Sequence, residues 1–137
     1  MKKLILSVLA LSVLVSSCFA MTPAVIGGIR DGLAIGLMAD NPIAKNVALR
    51  FGIEANSGNQ PLVAFFGGKF YLGAAGSMPL SLGLHGVAYS GNNNTDIGFG
   101  LSAIFDRAFG VKPMFMEIGV DVASKARLQF QLGYKIY

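Results

Sequence analysis

His85 is the only histidine of the chain. No second histidine stands beside it, and no cysteine follows position 18, so it cannot complete a metal-ligand set. Ser81, Ser90 and Ser102 lack the G-x-S-x-G setting of an activated nucleophile. Glu117 and Asp121 lie four apart on one strand face, ~13 Å at ~3.3 Å per residue, too far for an acid and base on the same strand. Gly27-Gly28 and Gly67-Gly68 open no helical pattern, so no phosphate-cradling loop is implied. The sequence therefore predicts no catalytic residue, no metal site and no cofactor, and a protein that is not an enzyme. What remains is a set of eight charges: Arg50, Lys69, Arg127 and Lys135 against Glu54, Asp96, Glu117 and Asp121. Lone buried charges are prohibitive, whereas a balanced set can pair in an enclosed space. The expected role of the eight is a structural network.

Where two of those charges share a segment they stand four or eight residues apart, an even spacing that puts them on one strand face. The clearest strand is the last one, Ala126 to Tyr137. Ala126, Leu128, Phe130, Leu132, Tyr134 and Ile136 share one face, and Arg127, Gln129, Gln131, Gly133 and Lys135 share the other. The same two-faced pattern runs through Gly32–Ala39, Asn46–Asn56, Leu62–Gly73, Leu80–Tyr89, Asp96–Phe105 and Met114–Ala123. Breaks are predicted at Asp40-Asn41-Pro42, Ser57 to Pro61, Ala74 to Pro79, Gly91 to Asn94, Asp106 to Pro113 and Ser124-Lys125. This gives seven clear strands. Ala24 to Arg30 is either a lead-in or an eighth. No useful 3.6-residue periodicity exists beyond the N-terminal segment, so helices are minor.

The charge-bearing face also carries a glycine near the middle of each strand: Gly36, Gly52, Gly67, Gly83, Gly98, Gly119 and Gly133. Glycine inside a strand marks a tight bend or a close backbone approach. Seven on one face predict a sheet curled around that face into a narrow closed barrel. The opposite face is nearly all Leu, Ile, Val, Phe, Met and Ala, too bulky to fill such a barrel. The economical arrangement is apolar side outward to lipid, and glycines and charges inward. A bilayer demands closure, because every backbone N–H and C=O must be paired there. Charged residues make up 13% of the chain, against about 25% in ordinary soluble domains. Phe66, Phe70, Phe99, Phe105, Phe130, Tyr134 and Tyr137 supply aromatics for the interfaces.

The first twenty residues read as a secretory signal peptide. Lys2 and Lys3 precede an apolar run from Leu4 to Val15, too short to span a membrane, followed by small residues. Cleavage after Ala20 is one outcome. The other is lipidation at Cys18, since Val15-Ser16-Ser17-Cys18 resembles a bacterial lipobox. The single domain is then 21–137, with no disulfide. Loss of Lys2 and Lys3 lowers the formal charge from +4 to +2, and no basic tract for nucleic acid remains.

With its signal peptide, its two-faced strands from about residue 31 to 137 and its ending Gln131-Leu-Gly-Tyr-Lys-Ile-Tyr137, the chain resembles the small bacterial outer-membrane β-barrels. Gly133, Tyr134, Ile136 and Tyr137 are similar to the signal that such barrels present to their insertion machinery. Ile136 rather than Tyr137 shares the apolar face, a departure in register. The resemblance implies an outer-membrane location and the lipid bilayer and barrel-insertion machinery as partners. The expected fold is all-β, a small antiparallel up-and-down β-barrel of about eight strands, transmembrane in type. The expected function is a non-enzymatic structural or envelope component with a side-chain-filled polar lumen. Two alternatives differ in kind. One is a secreted or lipid-anchored periplasmic β-barrel that binds an apolar ligand inside. The other is a subunit that lends strands to an oligomeric barrel.

Overall fold

A computed structural model describes residues 21–137. The segment expected to be a signal peptide, and with it Cys18, lies outside the described residues. Eight strands follow one another: β1 (Thr22–Arg30), β2 (Leu33–Ala44), β3 (Val47–Asn56), β4 (Leu62–Ala75), β5 (Met78–Ser90), β6 (Thr95–Asp106), β7 (Met114–Ala123) and β8 (Lys125–Lys135). A single 3-10 turn, Ala108–Gly110, interrupts the β6–β7 connection. Each strand pairs antiparallel with the next, and β1 pairs with β8, so the sheet closes into an up-and-down barrel. Ala24 lies opposite Lys135 and Arg30 opposite Gln129. The segment from Ala24 to Arg30, open in the sequence pattern, is thus a strand, β1, and brings the count to eight. Closure leaves no free sheet edge among the described strands. The backbone N–H of Ile136 extends the seam by donating to the Pro23 carbonyl at 2.8 Å.

Two predicted breaks are corrected. Asp40-Asn41-Pro42 does not end its strand, because β2 runs on to Ala44. Opposite Asp40 stands Arg50 of β3, and their side chains pair, so a turn-forming residue is held in a ladder by charge. Pro42 is tolerated because β1 reaches only as far as Asp40, leaving β2 paired on one side beyond it. A register shift between Pro42 and Ala44 absorbs the irregularity. The second correction is at Ala74 to Pro79. The turn there is only Gly76-Ser77, since β4 and β5 continue to Ala75 and from Met78.

The two faces separate as their side chains dictate. Arg50, Glu54, Glu117, Asp121 and Arg127 are buried inside the barrel, among Ile26, Val63, Phe65, Val87, Tyr89, Ile104 and Phe115. Outside, Leu33 (72% exposed), Ile97 (79%), Phe99 (68%) and Leu128 (80%) head a belt of Leu, Ile, Val and Phe that runs around the barrel. Phe66, Phe130, Tyr134 and Tyr137 belong to that exterior. Phe70 and Phe105 are half-buried.

All seven interior glycines have a spatial reason. A Cβ on Gly36, Gly52, Gly67, Gly98 or Gly119 would crowd a backbone carbonyl oxygen of the neighbouring strand. On Gly83 it would meet Ser102, and on Gly133 the Phe115 ring. The missing side chains let adjacent strands coil closely enough to close the barrel around so few strands. A pair of alanine substitutions tests this. Gly98→Ala drives its methyl into the Val122 carbonyl oxygen, whereas at the outward Gly86 the nearest atom lies at an ordinary 3.7 Å. Gly98→Ala is expected to lower unfolding free energy by about 1–3 kcal/mol, the cost of overpacking, with Gly86→Ala close to neutral. Denaturant titration of the folded barrels measures both.

Candidate functional site

The polar interior is built from one repeated unit. An arginine lies between two carboxylates and against one aromatic ring, and the unit occurs three times along the barrel. The guanidinium suits this role because its planar fork donates to several acceptors while its face stacks on a ring.

Nearest the end opposite Thr22 and Lys135 is Arg127. Its Nε stands 3.1 Å from Asp31 Oδ2, and its NH2 group donates to Asp96 Oδ2 at 3.1 Å and to Gln60 Oε1 at 2.7 Å. The Tyr89 ring centroid is 3.9 Å from the guanidinium carbon. The Tyr89 hydroxyl donates to Asp121 Oδ2 at 2.5 Å, which ties this unit to the next.

The second unit centres on Arg30, which is 1% exposed. Its Nε donates to Asp121 Oδ2 at 2.9 Å, NH1 to Glu54 Oε1 at 2.5 Å and NH2 to Gln129 Oε1 at 2.9 Å. Phe65 covers it at 4.8 Å. Gln129 donates on to Gln131, and Gln131 donates to the second oxygen of Glu54, which closes a ring of bonds. His85 Nε2 sits between Arg30 NH2 at 3.1 Å and Asp121 Oδ1 at 2.9 Å. Arginine can only donate and the carboxylate only accept, so the tautomer of His85 decides which of the two it bonds.

In the third unit Arg50 donates from Nε to Asp40 Oδ1 at 3.1 Å and from NH1 to Glu117 Oε2 at 2.7 Å. Phe115 stacks at 5.3 Å, and the Ser102 hydroxyl donates to the other Glu117 oxygen at 2.7 Å. Asp40 also faces Lys69, 3.5 Å away. Lys69 and Lys135 donate to the two oxygens of Asp106 at 2.8 and 2.6 Å. This last cluster floors an open vestibule of about 450 Å³ at the end where Thr22 and Lys135 lie, lined also by Lys45, Tyr71, Ser81 and Tyr137.

All eight charges predicted from the sequence belong to this column. Arg50, Glu54, Lys69, Glu117, Asp121 and Arg127 are buried, and Asp96 and Lys135 are half-buried toward its two ends. Arg30, Asp31, Asp40 and Asp106 join them without having been predicted. The consequence is that all seven acidic residues of the chain are in ion pairs. Strand parity does place His85, Tyr89, Gln129 and Gln131 on the inner face, and their polar groups complete the network. Glu117 and Asp121 share a face but serve different arginines.

Of the residues in the predicted insertion signal, Gly133 and Tyr134 lie in β8 opposite Ile26 and Val25 of β1. Ile136 and Tyr137 follow the strand. Chemically the column is a plug. Most of its hydrogen-bonding groups are turned on one another, although Arg127 Nε and NH1 and Gln60 Nε2 are buried without a hydrogen bond, and bulky apolar side chains fill the space between units. Among the described residues no group of three or more His, Cys, Asp or Glu is arranged to hold a metal ion. No family model, curated protein or solved structure matches the chain.

Proposed function

We propose that this chain is a membrane-embedded β-barrel of an outer membrane, a non-enzymatic envelope component whose lumen is sealed by its own side chains. The observation that carries this reading is the inversion of polarity. Arg30, Arg50, Glu54 and Asp121 are at most 2% exposed, while more than a dozen Leu, Ile, Val and Phe side chains stand at least 40% exposed. Burying one such side chain contributes about 1.5–3 kcal/mol. Over the whole belt that exceeds the 5–15 kcal/mol net stability of an ordinary domain, so the surroundings of the belt decide whether this fold is favoured. Hydrocarbon satisfies it and water does not. The strands of 9 to 14 residues suit a tilted crossing of the hydrocarbon layer, for which about 9–11 residues are needed.

The competing secreted binder of apolar ligands requires Leu and Phe to line a cavity, yet Leu101 and Phe130 point outward and the interior is filled with charge. A strand-lending subunit would leave an open sheet, whereas these eight strands close on themselves. The sealed lumen favours an envelope or scaffold role over general solute passage.

Extraction and electrophoresis test the reading. The protein is expected to require detergent, and to migrate differently before and after heating because the closed barrel resists unfolding by detergent alone. Recovery of folded, monomeric protein from the periplasm without detergent would reject it.

A further inference from the structure

The charges left outside the column are not evenly distributed. Because every Asp and Glu side chain is engaged elsewhere, Lys45, Arg107 and Lys112 form no ion pair among the described residues. Lys45 sits in the β2–β3 turn and the other two in the β6–β7 connection, so strand direction brings all three to the end where Thr22 and Lys135 lie. All three are exposed. The opposite end differs. Of its four turns, Ser57 to Pro61 and Gly91 to Asn94 are uncharged and rich in amides, Asp31-Gly32 carries an acid, and its one exposed cation, Lys125, is 3.4 Å from that Asp31.

Apolar side chains are interleaved with the three cations. Phe109 (73% exposed) and Val111 stand exposed between Arg107 and Lys112, Ile43 precedes Lys45, and Tyr137 lies at the same rim. Arg107 and Phe109 both hold left-handed backbone, with φ of 55° and 56°, a conformation that side-chain-bearing residues rarely adopt. The loop therefore holds a large ring mostly exposed at the rim. Exposed rings alternating with unpaired cations match a bilayer interface, where apolar groups enter below the headgroups and cations meet phosphate.

We propose that this rim binds the headgroups of anionic phospholipids, through Lys45, Arg107 and Lys112. The inference rests on the membrane reading above. A cation near an anionic surface strengthens attraction by roughly 5-fold, and salt screens it.

The test uses the protein folded into phosphatidylcholine vesicles, with spin-labelled phosphatidylglycerol or phosphatidylcholine as probe of the lipid layer around the barrel. Wild type is expected to favour phosphatidylglycerol several-fold. The triple variant Lys45→Gln, Arg107→Gln, Lys112→Gln should bring the ratio close to one, as should about 0.5 M NaCl, which shortens the screening length to a few ångströms. Lys125→Gln, at the opposite rim, should leave the ratio unchanged. Heat-dependent migration on a gel shows that each variant is folded. Equal association of the two lipids with inserted wild type, or a preference that survives the triple substitution, overturns the proposal while the membrane reading stands. A protein that stays outside the vesicles overturns both.

Discussion

Arg30→Met is expected to destabilise the barrel by about 3–5 kcal/mol, the cost of stranding buried charge when one partner is removed. Arg30 answers two carboxylates at once, Glu54 and Asp121, both with fully buried side chains. Its loss leaves both without their cation, in an interior that no water can easily re-enter. Gln129 and His85 would each lose a partner as well. The variant should fold in poor yield and unfold at a markedly lower denaturant concentration. The control separates charge from packing. In Arg30→Met combined with Glu54→Gln and Asp121→Asn, no formal charge is orphaned, and much of the loss should be recovered. A triple variant as unstable as the single one would show that Arg30 acts through its packing on Phe65 instead.

The second large effect is expected on the outside. Leu101 is the midpoint of β6, between Leu84 and Val120 on the neighbouring strands, and 46% exposed. Leu101→Arg should cost about 2–4 kcal/mol in a bilayer, the penalty for arginine at the midplane of a lipid-facing strand. The same change on a water-facing sheet would be close to neutral. Asn93→Arg, in the β5–β6 turn, should have little effect in either setting. Denaturant titration in phosphatidylcholine vesicles gives both values. Equal stability of the two variants would remove the physical basis for placing the belt in lipid.

Much of this arrangement is legible in the chain because parity carries it. A residue's face follows from counting by two, so Arg50, Glu54, Glu117, Asp121 and Arg127 could be placed inside, and the seven glycines with them. Parity fails where both faces look alike. In β1, Ala24, Ile26 and Gly28 alternate with Val25, Gly27 and Ile29, small or apolar on either side, so nothing marks the strand or directs Arg30 inward. Asp40 is lost for a different reason. Asp, Asn and Pro in a row carry strong turn propensity, and only the cross-strand pairing with Arg50 overrides it. Asp106 stands at the boundary of a strand and a loop, where the pattern gives no direction. Partner choice is not readable at all. Arg30 meets Asp121 because β1 closes on β8 and β8 pairs with β7, a relation that exists only once the sheet is complete. The units of arginine, two acids and a ring are therefore a property of the closed register, although each residue in them obeys a local rule.

The seam between β1 and β8 has a kinetic consequence. Seven of the eight strand pairings join sequence neighbours and can nucleate as hairpins, on the microsecond scale of local contacts. The eighth brings Ala24 to Lys135 and must wait for all the others. Contacts this distant in sequence set slow folding rates, and until this one forms the sheet has two raw edges. Asp121 on β7 reaches Arg30 on β1 only at that moment. The final step should therefore be slow and all-or-none, with the arginine at its centre acting as a latch that makes reopening rare.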